Sequence, residues 1–208
     1  MKKWFFFSLF SCTLFLCTFS AAAAGALPSR ARIDINGLKE QIKISDVQCS
    51  PNLRNVINKK HDAVQRDCYL TVESGVLTDQ WQEFEFSFVP EKSGKLRLMV
   101  RGNWTKKDPV RFVAYDNFTF SGFKSLNPDF ETTKNSTISG WMLRDMNMCI
   151  GKTDAASGKN YVKCTHDFYI FQNMHVTAGK KATIRFYARA AESTPRPEKT
   201  PQKYERMK

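Results

Sequence analysis

Acidic, histidine and cysteine side chains are the groups in this sequence that could catalyse a reaction or bind a metal. Asp116, Asp129 and Glu131 lie close together in the chain and could supply two carboxylates for glycoside hydrolysis. Their local sequences resemble no glycosidase motif, and no serine, histidine and aspartate set occurs in a nucleophile-elbow pattern. The histidines also lack the cysteine spacing that zinc sites use. The sequence therefore predicts a protein that is not an enzyme.

Aromatic side chains offer a second kind of chemistry, because their faces can stack on sugar rings in a binding site. The candidate ligand-binding residues are Trp104, Tyr161 and Tyr169. Trp104 is the best placed of the three, since it lies in the polar stretch 102–107, where burial is difficult. For each of them, packing in a hydrophobic core is the alternative interpretation.

Residues 1–26 have the features of a secretory signal peptide. Two lysines precede an apolar run from Trp4 to Phe19, and Ala24-Gly25-Ala26 fits a cleavage site. We expect a mature chain that is secreted, periplasmic or held in the cell envelope. No second apolar run is long enough to cross a bilayer, so we predict no membrane span.

Cleavage would leave four of the six cysteines, Cys49, Cys68, Cys149 and Cys164. An even number in an exported chain indicates two disulfides, for which three pairings are possible. We favour the local pairs Cys49–Cys68 and Cys149–Cys164. In the chain-entropy model each would contribute roughly 3 kcal/mol to stability.

The chain is strongly basic, with a net charge of +12 that falls to +10 when Lys2 and Lys3 are removed with the signal peptide. A basic protein can meet nucleic acid, an anionic cell envelope or an acidic polysaccharide. The cations are scattered in pairs such as Lys180-Lys181, and the chain is expected to be exported. We therefore predict that nucleic acid is not a partner.

Alternating apolar and polar residues indicate β-strands through most of the chain. Phenylalanines alternate with polar residues over 84–88, and similar alternation occurs over 96–100 and 182–190. About ten short strands separated by turns predict an all-β sandwich of the jelly-roll type. We place this domain at 27–190. Prolines among charged residues over 191–208 predict a disordered tail.

A family resemblance supports this fold. Residues 126–131 read Leu-Asn-Pro-Asp-Phe-Glu, Gly140-Trp141 follows, and 172–190 hold a strand, a glycine turn and a strand that ends in Arg-Ala. These segments resemble the first half of galactose-binding-like jelly rolls, especially the carbohydrate-binding modules of families four and nine. The resemblance implies a β-sandwich that binds a glycan and does not catalyse.

The resemblance also implies roles for individual residues. Family members commonly hold one structural calcium ion, and the matching ligands are Glu131 and Asp116. Carboxylates are hard oxygen ligands that suit Ca²⁺. The alternative is that both acids are ordinary turn residues. Trp81 and Trp141 match family positions that are usually structural, so we predict that both are core residues.

The matching halves are in reversed order. Residues 77–81, 84–88, 94–98 and 115–118 resemble the second half of the family, yet they precede the first half. One circularly permuted domain and two incomplete domains in tandem are both compatible with this order. We favour permutation, because residues 124–190 alone would leave an open apolar face and bare strand edges.

The leading functional prediction is a non-catalytic, exported carbohydrate-binding protein whose partner is a glycan or polysaccharide. The alternative is a structural or protein-interaction β-sandwich of the cell envelope that binds no sugar.

Overall fold

The computed structural model describes residues 28–37, 42–56, 68–104, 110–134, 137–143 and 150–194. Within these ranges the chain forms β-strands and no helix, so the predicted all-β class is confirmed. The predicted signal peptide lies outside the described residues. The last strand continues to Thr194, past the predicted start of the tail at 191, and the rest of the tail is outside the described residues.

The strands are β1 (Ala31–Gly37), β2 (Ile44–Cys49), β3 (Leu53–Asn55), β4 (Cys68–Ser74), β5 (Gln82–Pro90), β6 (Gly94–Gly102), β7 (Val110–Ser121), β8 (Thr133–Lys134), β9 (Thr137–Ile138), β10 (Met142–Leu143), β11 (Ile150–Gly151), β12 (Tyr161–Cys164), β13 (Ile170–Val176) and β14 (Ala182–Thr194).

Two six-stranded sheets form the body of the protein. The first sheet has the order β10-β13-β6-β1-β4-β3, and the second has the order β11-β12-β7-β14-β5-β2. The strand pairs in both sheets are antiparallel. A small hairpin of β8 and β9 stands apart from them. The two sheets contribute buried side chains to one hydrophobic cluster, and this arrangement is a β-sandwich.

The alternation of residues along each strand decides which side chains enter the core, because neighbouring side chains point to opposite faces. On β5 the rings of Phe84, Phe86 and Phe88 are buried, and on β14 the side chains of Ile184 and Phe186 meet them. Phe84 and Phe186 stack with ring centroids 5.4 Å apart. The alternating phenylalanines of β5 thus form the centre of the core.

Strands from the two halves of the sequence are interleaved in both sheets. β13 lies between β10 and β6, and β14 lies between β7 and β5. The strand with Phe84 to Phe88 therefore shares its core with the strand with Ile184 to Tyr187, which is the pairing that one permuted domain requires. Neither half supplies all the strands of either sheet.

We expect residues 27–123 expressed alone to show no cooperative unfolding transition. Without β14, the strands β5 and β7 lose the partner between them, and buried rings such as Phe84 and Phe86 become exposed. Thermal unfolding followed by near-ultraviolet circular dichroism, with residues 27–194 as the control, would test this. A cooperative transition in the short fragment would favour two tandem domains.

The sheet order limits how the cysteines can pair. Cys49 ends β2 at one edge of the second sheet and Cys164 ends β12 near the other edge, with β5, β14 and β7 between them. Four strand spacings amount to about 19 Å, and a disulfide needs Cα atoms within about 7 Å, so these two residues cannot pair. β2 does approach β4, which begins at Cys68. The side chain of Cys68 and all of Cys149 lie outside the described residues, so the two local disulfides remain a prediction.

Candidate functional site

The outer face of the first sheet is the most basic surface that the described strands form. Because Leu96, Leu98 and Val100 of β6 point into the core, the residues between them point outward. We call this surface the basic face, and define it by its outward side chains, which are Arg32, Asp34, Asn36, Arg54, Tyr69, Thr71, Glu73, Lys95, Arg97, Met99, Arg101, Phe171, Asn173 and His175.

Aromatic rings and an arginine form one end of the basic face. Tyr169, just before β13, and Phe171, within it, have ring centroids 6.2 Å apart. The guanidinium carbon of Arg97 lies 4.5 Å from the centroid of Phe171, within cation–π range. Both rings are only half-buried. Arg97 is opposite Asn173 in the strand register, so a flat ring, a planar cation and an amide are neighbours.

A buried carboxylate fixes the centre of the basic face. Asp34 accepts a 2.6 Å contact from Arg101 Nη2 and a 3.2 Å bond from Arg32 Nε. The hydroxyl of Thr71 donates to the same carboxylate at 2.8 Å. The side chain of Asp34 is 3% exposed, so solvent screens these contacts weakly.

Burial, followed by the charge of Arg101, lowers the pKa of nearby His166, so this imidazole adds no positive charge at neutral pH.

Trp104 is exposed just beyond the end of β6, as its polar neighbours predict. Its exposed fraction is 61%, which is unusual for an indole. The preceding Asn103 holds the chain in place: its Oδ1 accepts from Arg30 N at 2.9 Å, and its Nδ2 donates to the Pro28 carbonyl at 3.3 Å. Trp104 and Tyr169 both lie at the end of the first sheet where β6 ends and β13 begins.

Tyr161 is not part of this surface. It lies on the outer face of the second sheet and is only 4% exposed, because Trp81 and Arg189 cover it. Trp81 donates from Nε1 to the Asp154 carbonyl at 2.9 Å, and Arg189 lies 4.8 Å from its ring centroid. The prediction that Trp81 is a core residue is therefore wrong. Trp141, at 5% exposure, does belong to the core.

On the outer face of the second sheet, arginines are paired with carboxylates. Arg185 contacts Glu83 at 3.0 Å and Glu85 at 2.8 Å, and Arg189 contacts Asp154 at 3.3 Å. The hydroxyl of Tyr187 donates to Glu83 at 3.3 Å. The two faces of the sandwich thus differ in charge: cations exceed carboxylates on the basic face and are matched by them here.

The two predicted metal ligands, Asp116 and Glu131, converge on the loop between β11 and β12. Asp116 is fully buried and accepts from Ser157 N at 2.9 Å and Asn117 N at 2.7 Å. Glu131 Oε1 accepts from the backbone nitrogens of residues 159 and 160 at 2.8 and 2.7 Å. We call these two acids with residues 156–160 the acidic clasp.

The acidic clasp is tightly fitted and electrostatically strained. Gly158 has a φ of +65°, and a Cβ there would collide with the Glu131 carboxylate. Burial, with a smaller contribution from the Glu131 charge, raises the pKa of Asp116 to about 6, although hydrogen bonds from backbone amides oppose the rise. Among the described residues, no group of three or more His, Cys, Asp or Glu side chains surrounds a possible metal position. Carbonyl oxygens would have to complete any coordination sphere.

We expect the stability of the metal-free protein to increase as the pH falls from about 6 towards 4. The folded pKa of Asp116, about 6, exceeds the unfolded value of 3.8, so the folded state binds the proton more tightly across this window. The gain would be on the order of 2–3 kcal/mol at most. Urea unfolding of the wild type and Asp116→Asn between pH 4 and 7, in chelator, would measure it. An equal pH response in both proteins would contradict the assignment to Asp116.

Sequence reasoning did not name Phe171, Arg97 or Met99 as candidate binding residues. Strand alternation was the available signal, since Arg97 and Met99 alternate with the core residues of β6. Their proximity to Phe171 depends on the pairing of β6 with β13, which are far apart in the chain.

No family model, no curated protein and no solved structure matches this chain. Across the described residues there is no helix long and apolar enough to cross a membrane.

Proposed function

We propose that this chain is a non-catalytic, exported glycan-binding protein that binds sugar at the aromatic end of the basic face. The main observation in support of this proposal is the exposed indole of Trp104. It lies at the same end of the first sheet as Tyr169 and Phe171, whose rings are also partly open to solvent. Aromatic faces stack on sugar rings, and neighbouring polar groups fix the hydroxyls. Arg97 and Asn173 are placed to provide such groups.

The Trp104→Ala variant tests the proposal. We expect it to weaken binding at least about tenfold, since loss of a principal aromatic contact is worth ~1.4 kcal/mol or more. Affinity electrophoresis and pull-down with neutral and acidic polysaccharides would measure the change. Tyr187→Ala, on the outer face of the second sheet, is the matched control and should leave binding unchanged. Equal affinity of Trp104→Ala and the wild type would refute this surface.

We also propose one structural Ca²⁺ at the acidic clasp. Asp116 and Glu131 supply carboxylate oxygens suited to calcium. Burial, and to a smaller extent the Glu131 charge, raises the pKa of Asp116, and a bound cation would favour its charged form. Both carboxylates already accept backbone hydrogen bonds, so the ion would use their remaining lone pairs together with carbonyl oxygens.

Calcium should raise the melting temperature relative to excess chelator. A ligand at a hundred times its Kd stabilises the native state by about 2.7 kcal/mol. Glu131→Ala should lose the difference between the two conditions, although it also loosens the loop and lowers both melting temperatures. Identical melting temperatures of the wild type in calcium and in chelator would mean that the two acids only fasten the 156–160 loop.

A protein-interaction role is the second candidate, and the edge of the first sheet favours it. Leu126 is 66% exposed and Met142, on the short edge strand β10, is 43% exposed. Leu126 is held beside β13 through Gln172, whose Oε1 accepts from Leu126 N at 3.0 Å. Exposed apolar groups near an open strand edge are typical of interaction surfaces. A Leu126→Lys, Met142→Lys variant should keep glycan binding and lose any protein partner at this edge.

A further inference from the structure

The cations of the basic face outnumber its carboxylates, and two of its arginines, Arg54 and Arg97, make no ion pair among the described residues. The strands carry five cations and two carboxylates on this face: Arg32, Arg54, Lys95, Arg97 and Arg101 against Asp34 and Glu73. Asp34 already accepts from two arginines, and Glu73 contacts Arg30 at 3.7 Å. The remaining positive charge is therefore available to a ligand.

Arg97 is the centre of this excess. In the part of the chain that the structure describes it makes no ion pair, and its Nε has no hydrogen-bond partner. Its guanidinium is held instead by Phe171, at 4.5 Å from the ring centroid. An aromatic ring orients a guanidinium without using its hydrogen-bond donors. The Nε of Arg97 is buried, so its two terminal nitrogens are the donors left to bind a planar anion with two parallel bonds.

We infer that the glycan bound by the basic face is anionic, a polysaccharide that carries carboxylate or sulfate groups. This inference rests on the proposed glycan-binding function and specifies its ligand class. Arg97 binds the acidic group, while Phe171, Tyr169 and Trp104 contact the sugar rings. The opposite face of the sandwich, where Arg185 is paired with Glu83 and Glu85, has no comparable excess.

One chemically matched ligand pair and one further acidic polymer would test this. Dextran and dextran sulfate share a backbone and differ in charge, while polygalacturonate, on a different backbone, presents carboxylates. We expect the mature wild-type chain to prefer the acidic polymers and Arg97→Gln to bind them about tenfold more weakly, the effect of losing one charged hydrogen-bonded pair. Arg185→Gln removes the same charge from the opposite face and should change affinity less than twofold. Binding should also weaken as salt increases.

The outcomes separate this inference from the function on which it rests. Trp104-dependent binding of a neutral polysaccharide, without preference for acidic polymers, would overturn the inference and leave the function standing. Equal losses in Arg97→Gln and Arg185→Gln would show non-specific attraction and also overturn it. Equally tight, Arg97-dependent binding of duplex DNA or phosphatidylserine vesicles would identify a general polyanion surface, against the inference. Failure to bind any polysaccharide would overturn both.

Discussion

Replacing Phe118 by alanine should lower the free energy of unfolding by about 3–5 kcal/mol, the range for a buried phenylalanine in a packed core. Phe118 is 1% exposed. Its ring centroid lies 5.3 Å from that of Phe186 and 5.8 Å from those of Phe130 and Trp141. It therefore joins β7 to β14 and to the 126–141 segment. The cavity would loosen three parts of the protein at once.

Urea unfolding followed by tryptophan fluorescence would measure this loss. Phe123→Ala is a suitable control, because Phe123 is half-buried and its ring contact is with Phe120. It should be destabilised by clearly less than Phe118→Ala. Equal losses in the two variants would show that the ring cluster around Phe118 is not the stabilising centre.

Removing the buried carboxylate of Asp34 should be similarly destabilising. Asp34→Ala would leave Arg101 and Arg32 close together in a poorly solvated position without their shared anion. Breaking a buried ion pair by deleting one partner typically costs about 3–5 kcal/mol, much of it from the charge left behind. Thr71 would also lose the acceptor of its 2.8 Å hydrogen bond.

Glu85→Ala is the matched control, since it deletes a carboxylate from an exposed pair with Arg185. Exposed ion pairs contribute about 0–1 kcal/mol, so this variant should unfold close to the wild type. The double variant Asp34→Ala, Arg101→Ala should recover part of the loss, because one uncompensated cation is gone. A loss below about 1 kcal/mol in Asp34→Ala would mean that water reaches the cluster.

Local pattern was sufficient to predict the strands but not their partners. The alternation of Phe84, Phe86 and Phe88 identifies a half-buried strand, and that of β14 identifies another. Their pairing joins residues about a hundred positions apart, and periodicity contains no information on partners. The reversed order of the family-like segments suggested this pairing where the periodicity could not.

The difference between local pattern and long-range contacts also explains which aromatic residues were correctly predicted to be exposed. The exposure of Trp104 follows from its polar neighbours in the chain, so the sequence predicted it. The burial of Tyr161 depends on Trp81, just before β5, and Arg189 of β14, which are distant in the chain and both contact its ring. The convergence of Asp116 and Glu131 was foreseen through the resemblance, whereas the backbone amides of residues 157, 159 and 160 that hold them were not.

The position of β14 has a consequence for biosynthesis. It is the last of the described strands, yet it pairs with both β7 and β5 inside the second sheet. A chain that leaves the ribosome from its N-terminus exposes the edges of β5 and β7, with rings such as Phe84 and Phe118, until β14 emerges. Unpaired edges and open apolar faces promote aggregation of nascent chains. The nascent protein therefore has to be shielded, by a chaperone or by passage through a channel as an unfolded chain, until β14 has emerged.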